Sequence, residues 1–263
     1  MNVLPPGTLL QMMYLEERLG RTPPGRFIEV GPGSGEITQM LLNRGWCGQS
    51  CDLEATTVAK LEHRFAAQIA QGRFAAFHGD FLSRSTVVSP QVDLVISCMV
   101  MEHLDETAQF EFMRRAREVL NPSGKMIGLV PGSPAHWGIE DDIAGHCRRY
   151  TQASIEALAN TNRWRLMHVA GLTYPLSNLL LPLSNAIVRK HEGSKLSMSL
   201  LERTKQSGAR DVKFKTRFPP ILGLFLNRMA MAPFNALQKA FSKSESALVI
   251  YFEASPAPEL VHG

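Results

Sequence analysis

The chain has 263 residues, of which 44% are hydrophobic, and this is enough for the full core of an α/β domain with an insertion. Its net charge is +4, and no stretch reaches eighteen uninterrupted apolar residues, so no membrane-spanning helix is expected. The start, MNVLPPGTLLQMMYLEERLG, lacks the basic and apolar regions of a secretory leader, and the four cysteines follow no disulfide-framework spacing, so we expect a reduced, cytoplasmic chain.

Strands and helices alternate along the first two thirds of the chain. Apolar runs separated by helical periodicity predict a parallel sheet with helices on both faces. Pro122 and Gly124 are expected to end one helix and turn the chain into the next strand. The predicted strands lie near 26–30, 48–52, 73–78, 92–97, 125–130 and 164–170, and the predicted helices near 7–19, 35–44, 54–70, 105–120 and 151–161.

The alternation stops after residue 170. Two apolar helical stretches, about 176–190 and 220–241, flank a stretch rich in Ser, Lys and Arg, and residues 247–252 predict a last strand. No second set of strands follows, so one domain is the simplest account. The predicted organisation is a single domain over 1–263, with a core of 20–171 and 247–254 and a helical insertion, 172–246, before the last strand.

The segment FIEVGPGSGEIT, residues 27–38, combines a strand, three alternate glycines and the start of a helix. Glycines allow positive φ and close approach of a ligand, and a helix start offers unpaired N–H groups. A dinucleotide fingerprint needs glycine where this chain has Glu36, and a phosphate-binding P-loop needs Gly-Lys-Ser/Thr. The loop therefore favours a cofactor without phosphates that carries a positive group, and S-adenosylmethionine fits. Taken alone, the glycines also fit an ordinary strand–turn–helix.

Such a cofactor predicts acids at the ends of the following strands. Asp52 ends the second predicted strand, where a carboxylate can accept hydrogen bonds from both ribose hydroxyls. Asp80 follows the third strand and can accept from an adenine amino group, while Phe81 or Leu82 packs on the ring. Each acid alone could equally cap a helix or form a turn. The fourth strand, VDLVISCM, ends beside the glycine loop and can line the sulfonium.

The order of these features resembles the class I S-adenosylmethionine-dependent methyltransferases over about 26–170 and the last strand. FIEVGPGSG and VDLVISCMVMEHL carry the resemblance, and the second segment is similar in particular to small-molecule and quinone-pathway methyltransferases. LNPSGKMIGLVPG and GHCRRYTQASIEAL are typical of the wider superfamily. The resemblance implies a Rossmann-like, seven-stranded, mostly parallel sheet with an antiparallel last strand, and an insertion that caps the substrate.

The same resemblance implies the binding roles of individual residues. Glu29 is expected to order the glycine loop and reach the cofactor ammonium, and Ser97 and Cys98 to offer backbone contacts. S-adenosylhomocysteine is the implied product. The full set of implied cofactor-binding residues is Glu29, Gly31, Pro32, Gly33, Ser34, Gly35, Asp52, Leu53, Asp80, Phe81, Ser97 and Cys98.

Methyl transfer to an oxygen of high pKa needs a general base, for which histidine is the usual residue near neutral pH. His146, in the loop after the fifth strand, is the first candidate, and His103, six residues after the fourth strand, is the second. Either could instead have a structural role. The acids and histidines of the His146 loop match no familiar metal-ligand spacing, so no metal is expected. These residues are His136, Asp141, Asp142 and His146.

The insertion is expected to select the acceptor. Its apolar flanks favour a pocket for a bulky apolar metabolite, under a mobile lid, although they could simply pack on each other. Segment 189–217 holds nine Lys and Arg against three acids, which suits either a solvated face or contact with an anionic substrate or lipid headgroup. Apart from Phe214 and the following Phe218 it lacks interleaved aromatic residues, so no nucleic-acid partner is expected.

The predicted activity is methyl transfer from S-adenosylmethionine to a small molecule, with oxygen as the favoured acceptor atom. Transfer to nitrogen or carbon is the alternative within the same enzyme class. The alternative of another class is a catalytically silent cofactor-binding or scaffold protein. A monomer or a homodimer is expected.

Overall fold

The computed structural model describes residues 3–83, 91–192 and 218–258. Within these ranges, no helix is both long and apolar enough to cross a membrane. Most of the basic segment 189–217, which was expected to cover the acceptor as a lid, lies outside the described residues.

The chain folds into two compact units. The sheet unit comprises Pro24–Leu129, Gln152–Val169 and Tyr251–Gly263, and the helical unit comprises Met1–Pro23, Val130–Thr151 and Ala170–Ile250. The described part of the predicted insertion is helical and belongs to the same unit as the N-terminal helix. The single-domain assignment and the capping role of the insertion stay predictions.

The sheet has seven strands in the order β3-β2-β1-β4-β5-β7-β6, and the last strand in sequence is antiparallel to the rest. This confirms the predicted sheet. The strand order reverses between β1 and β4, and the carboxyl ends of parallel strands at such a point form a ligand-binding crevice. The strands are β1 Arg26–Val30, β2 Cys47–Asp52, β3 Phe74–His78, β4 Val92–Cys98, β5 Leu120–Pro131, β6 Trp164–Leu172 and β7 Val249–Pro256.

The helices follow the predicted pattern closely between the strands of the sheet. Short 3-10 helices occur at Met101–His103, Pro134–His136 and Pro220–Leu224. The α-helices are α1 Pro6–Leu19, α2 Glu36–Asn43, α3 Ala55–Arg64, α4 Ala66–Ala70, α5 Glu106–Val119, α6 Ile139–Ala144, α7 Gln152–Thr161, α8 Leu176–Glu192 and α9 Arg228–Ala240.

Three predicted elements differ from the structure. The predicted helix 54–70 breaks at Phe65, whose buried ring packs edge-on against Phe74 of β3. The predicted helix 220–241 starts as a 3-10 turn and begins again at Asn227, whose side chain accepts the N–H groups of the first turn of α9. β5 starts at Leu120 rather than 125, because Leu120 already pairs with Val92 and the register then shifts.

Helix α1 organises the described core of the helical unit, because α8 and α9 both pack on it. Leu10 of α1 and Met231 of α9 are buried together, with Leu176 of α8 beside them. Gln238 of α9 joins the elements: its Nε2 donates to the Leu10 carbonyl at 3.0 Å, and its Oε1 accepts from the Thr173 N–H at 2.9 Å.

Candidate active site

The loop between β1 and α2 holds three glycines in the left-handed backbone region, with φ of 67° at Gly31, 53° at Gly33 and 81° at Gly35. A Cβ at Gly31 would lie 2.5 Å from Cγ2 of Val100. A Cβ at Gly35 would lie 2.7 Å from Cδ2 of Leu61. A Cβ at Gly33 would meet no atom within 4 Å. Gly31 and Gly35 are therefore required by packing as well as by φ, while Gly33 leaves backbone that a ligand can approach.

The outer side of the glycine loop is held by an arginine from α3. Arg64 donates through Nη1 to the Ser34 carbonyl and, at 2.9 Å, to Oε1 of Glu36. Within the loop, the N–H group of Gly35 donates to the carbonyl oxygen of Pro32 at 2.9 Å, and Pro32 is buried. Arg64 thus neutralises the charge of Glu36, the first residue of α2. The loop conformation is held by Arg64 and by the hydrogen bond between Gly35 and Pro32.

Glu29 lies in the middle of β1 and is buried, with 2% of its surface exposed. The hydroxyl groups of Thr38 in α2 and Ser50 in β2 both donate to its Oε2, Ser50 at 3.4 Å. Burial, and to a smaller extent the charge of Asp52, raise the pKa of Glu29 to about 8 despite these hydrogen bonds. Glu29 therefore ties β1, β2 and α2 together and is mostly protonated at neutral pH.

Asp52 ends β2, at the carboxyl edge where the sequence predicted it. Its side chain is half-buried, and its Oδ1 accepts the Glu54 N–H at 2.8 Å. Burial, followed by the charge of Glu54, raises the pKa of Asp52. Leu53, the next residue, has an exposed side chain. One carboxylate oxygen thus stabilises the turn before α3, whose N-cap is Glu54 rather than Asp52.

Asp80 lies in the exposed turn after β3, and its Oδ1 accepts the Leu82 N–H at 2.9 Å. Phe81 points into the core, where its ring packs against Phe112 of α5 with centroids 5.1 Å apart. Only 3% of Phe81 is exposed, so it has little surface to offer a ligand ring. The half-buried Leu82 is the better candidate for that contact.

The end of β4 lies next to the end of β1, because Ser97 pairs in register with Val30. Ser97 is buried, and its Oγ has no hydrogen-bond partner within the part of the chain that the structure describes. Cys98 is half-buried, and Met99 after it has a φ of 56°, an uncommon value for a residue with a side chain. Strained backbone and an unsatisfied buried hydroxyl are both features that cluster at functional sites.

The thiols of Cys51 and Cys98 also lie at this edge. Burial first, and neighbouring carboxylates second, raise the pKa of Cys51 and of Cys98 to about 12 each. Both thiols are therefore neutral, so neither is a nucleophile at neutral pH. The carboxylates responsible are Asp52, Asp80 and Glu29 for Cys51, and Glu102 and Glu29 for Cys98.

His103 lies in the 3-10 helix Met101–His103 that follows β4. Its side chain is half-buried, and the preceding Glu102 is fully buried. The His103 N–H donates to the Val100 carbonyl at 3.1 Å, which fixes the backbone of this turn. A histidine beside a buried carboxylate has the surroundings of an acid–base group, but its position also suits the structural role considered from the sequence.

His146 belongs to a hydrogen-bonded loop in the helical unit, centred on the fully buried Asp141 of α6. Asp141 Oδ1 accepts from His146 Nδ1 and from Arg149 Nε, both at 2.8 Å, and its Oδ2 accepts the Gly138 N–H at 2.8 Å. Burial would raise the pKa of Asp141, but these three donors outweigh it and hold that pKa below its usual range. Arg149 also donates to the Gly132 carbonyl at 2.9 Å.

Asp141 is therefore ionised and fixes the tautomer of His146. With the ring proton on Nδ1 directed to Asp141, Nε2 of the neutral ring carries the lone pair, which is the arrangement of a histidine base oriented by a carboxylate. A second histidine of this loop, His136, shares its Nδ1 with the Ser133 hydroxyl at 2.8 Å. Ser133 has a φ of 57°, so the loop is strained where it leaves β5.

A family model described as a methyltransferase domain matches residues 27–124, from β1 to the start of β5. Residues 27–124 are a methyltransferase domain.

Individual relatives match over shorter stretches. The chain is 30% identical over 100 residues to an uncharacterized methyltransferase of Geobacillus kaustophilus, which covers 38% of this chain and 44% of that protein. It is 42% identical over 57 residues to a probable ribosomal RNA small subunit methyltransferase A of Methanospirillum hungatei, covering 21% of this chain and 22% of that one. The chain thus spans less than half the length of these curated relatives.

One solved structure covers nearly the whole fold. A putative sarcosine dimethylglycine methyltransferase from Galdieria sulphuraria superposes with a TM-score of 0.54 over 96% of this chain and 85% of that one, at 12% sequence identity. At that identity the likeness concerns the fold alone. It supports the class I arrangement of the sheet around the methyltransferase domain.

The methyltransferase domain brings most of the predicted cofactor residues to one edge of its sheet. The glycine loop, Asp52 and Ser97 lie at the carboxyl ends of β1, β2 and β4, and Asp80 follows β3. Phe81 lies in the core behind that edge, and Glu29 is enclosed between strands and α2. Their contacts with a cofactor stay predictions.

Several residues that shape these sites escaped the sequence analysis. Thr38 and Ser50, which hold Glu29, lie far apart in sequence, so only the paired strands reveal them. Arg64 is one exposed arginine among many in the sequence. Asp141 was considered only as a metal ligand, although an acid five residues before a histidine in a loop can orient its ring.

Proposed function

We propose that this protein transfers a methyl group from S-adenosylmethionine to a small-molecule acceptor, with oxygen as the favoured acceptor atom. The observation that carries the proposal is that Asp52 ends β2 and Asp80 follows β3 at the carboxyl edge of the methyltransferase domain, beside a glycine loop with open backbone at Gly33. Such an edge attracts a cationic nucleoside and repels a pyrophosphate.

The residues at this edge fit the proposed cofactor. The loop Gly31–Gly35 would hold the methionine portion, Asp52 the ribose hydroxyls and Asp80 the adenine amino group. The unsatisfied hydroxyl of Ser97 offers one more polar contact. Bound there, the cofactor supplies a methyl group already activated by the sulfonium, so the protein needs to align the acceptor and exclude water.

The proposed base for an oxygen acceptor is His146, with His103 second. Ionised Asp141 holds the Nδ1 proton of His146, so Nε2 would take the acceptor proton, and the imidazolium formed would be stabilised by the same carboxylate. Arg149 keeps Asp141 in place and charged. This pairing favours transfer to oxygen over transfer to a neutral amine nitrogen, whose lone pair attacks before any proton is lost.

A small-molecule acceptor is proposed over a ribosomal RNA. Two relatives named for ribosomal RNA match this chain over 57 and 62 residues, which are too short to carry an acceptor preference with them. A bulky or apolar metabolite suits the helical unit, whose α8 and α9 are rich in leucine, methionine and phenylalanine.

The cofactor assignment is tested by calorimetry with S-adenosylhomocysteine. Asp52→Ala should weaken binding by about 1–3 kcal/mol, the scale of hydrogen bonds to a charged group. Glu62→Ala, which removes an exposed carboxylate of α3, is the matched control and should leave the affinity unchanged. An unchanged affinity in Asp52→Ala contradicts the ribose assignment, and tighter binding of NADH than of S-adenosylhomocysteine contradicts the proposed cofactor class.

Turnover is tested separately, by following transfer of a labelled methyl group from S-adenosylmethionine to panels of apolar hydroxyl, amine and carbon acceptors and to ribosomal RNA. Labelling of hydroxyl acceptors supports the proposal. Labelling of RNA alone contradicts the small-molecule acceptor, and cofactor binding without transfer to any panel favours the silent cofactor-binding alternative.

A further inference from the structure

The stretch from Ile221 to Met229 in the helical unit has apolar side chains on both of its sides. Its inner side is used in folding, because Leu226 packs on the core formed by α1 and Met231. Its outer side carries four large apolar residues that are 69–87% exposed. These outer residues are Ile221, Leu224, Phe225 and Met229, and we call them the apolar patch.

Exposure of this kind is unusual within so few residues. Single exposed leucines are common on protein surfaces, but large side chains grouped in one short segment mark a site of interaction with something apolar. Folding of the helical unit does not account for the patch, because Leu226 packs on the core while the four patch residues stay exposed. Helix α8, which also packs on α1, adds Leu179 and Leu183, both well exposed.

The sequence that contains the patch is basic. Segment 172–246 holds twelve Lys and Arg against four acids, an excess of eight, whereas the rest of the chain holds sixteen against twenty. Among the described residues, the side chain of Arg228, next to Met229 of the patch, is 60% exposed. Arg189 and Lys190 are exposed at the last turn of α8, and Lys243 is exposed after α9.

From this combination we infer that the apolar patch inserts into the interface of an anionic lipid membrane, with Arg228 and the other exposed basic residues of the described helical unit against the headgroups. Interfacial binding needs apolar side chains that reach below the headgroups and cations that meet anionic lipid, and the helical unit supplies both in one segment. A second copy of the chain would meet the same excess of positive charge, which opposes self-association through this face. Such binding lies on the membrane surface and needs no spanning helix.

The test is co-sedimentation of the full chain with vesicles, without cofactor or acceptor. In 0.1 M salt the protein should bind vesicles rich in phosphatidylglycerol and bind pure phosphatidylcholine vesicles much less. Leu224→Ser/Phe225→Ser should lower the partition coefficient by about tenfold or more, because two large side chains no longer leave water. Ile221→Ser/Met229→Ser should act in the same direction, so the conclusion does not depend on one variant.

The matched control is Phe110→Ser/Met167→Ser, which removes two exposed apolar side chains from the sheet unit. It should leave vesicle binding unchanged. All variants should keep the thermal midpoint of the wild type, since the side chains removed are exposed.

Three results would overturn the inference: no binding to anionic vesicles, equal binding to neutral and anionic vesicles, or equal loss in patch and control variants. A different result would assign the patch to an interface with a second copy instead. In that case the wild-type protein forms a dimer and does not bind vesicles, and the patch variants dissociate the dimer. Vesicle binding is measured without turnover. A failure to bind vesicles therefore leaves the proposed methyl transfer untouched, and a failure to transfer methyl groups leaves the membrane inference untouched.

Discussion

At the scale of single residues, Glu29 makes the free energy of unfolding of the cofactor-free protein fall as the pH rises. Its pKa rises from 4.5 in the unfolded chain to about 8 in the folded one, so the folded state binds the proton more tightly. This contribution to stability is complete below pH 4.5 and is lost as the pH rises towards 8. Glu29→Gln, which keeps the shape and removes the titration, should flatten the decline of unfolding free energy between pH 5 and pH 8.

Urea denaturation of both proteins across this pH range measures the effect. Glu62→Gln, in an exposed position of α3, is the control and should decline as the wild type does. Parallel curves for Glu29→Gln and the wild type would mean that the Glu29 carboxyl titrates normally.

Asp141 and His146 make the second residue-scale prediction. If His146 is the base, His146→Gln should lower kcat by about 10²–10⁴-fold with little change in cofactor affinity. Asp141→Asn should lower kcat as well and shift its pH profile, because an amide neither fixes the ring tautomer nor stabilises the imidazolium. His136→Gln, in the same loop, is the control.

The comparison is made by steady-state kinetics over pH 6–9 with calorimetry of cofactor binding. Loss of activity in Asp141→Asn with an unshifted pH profile would assign Asp141 a purely structural role. Wild-type turnover in both His146→Gln and His103→Gln would mean that alignment alone drives transfer.

At the scale of elements, a buried charge links the last strand to the sheet. Glu253 of β7 accepts from Lys125 of β5 at 3.3 Å and from the Tyr251 hydroxyl at 2.7 Å. Lys125→Met should cost about 2–3 kcal/mol of unfolding free energy, because a carboxylate that is only 7% exposed loses its cation. Adding Glu253→Gln should recover part of the loss, and Lys60→Met, at an exposed site, should be nearly neutral.

Chemical denaturation of the wild type, the two single variants Lys125→Met and Glu253→Gln, and the double variant gives the coupling between the two positions. Additive effects of Lys125→Met and Glu253→Gln would show that the ion pair does not join β5 to β7.

At the scale of the whole molecule, the sheet was predictable and its supporting contacts were not. Strands β1 to β4 lie within a residue or two of their predicted positions, since each is an apolar run bounded by a turn. Breaks within apolar helical patterns were missed, as at Phe65, because burial against β3 leaves the local periodicity intact.

The candidate site divides in the same way. Glycine spacing and acids at strand ends are local signals in the sequence. The positions of Gly31–Gly35, Asp52 and Asp80 could therefore be predicted from it. The partners of Glu29 and the orientation of His146 by Asp141 depend on side chains brought together by folding. Contacts between side chains of different strands produce no periodic pattern in the sequence.

The cysteines give the protein a built-in attachment point for a spectroscopic probe. Cys51 and Cys98 keep their protons at neutral pH, because burial and carboxylates raise the pKa of each thiol to about 12, whereas Cys147 is exposed. The thiolate is the nucleophile that attacks a thiol-directed reagent, so a maleimide dye should couple to the exposed Cys147 before the half-buried Cys47, and well before Cys51 or Cys98. Cys147 adjoins His146, and a dye there would report by its emission when ligands reach the loop around Asp141.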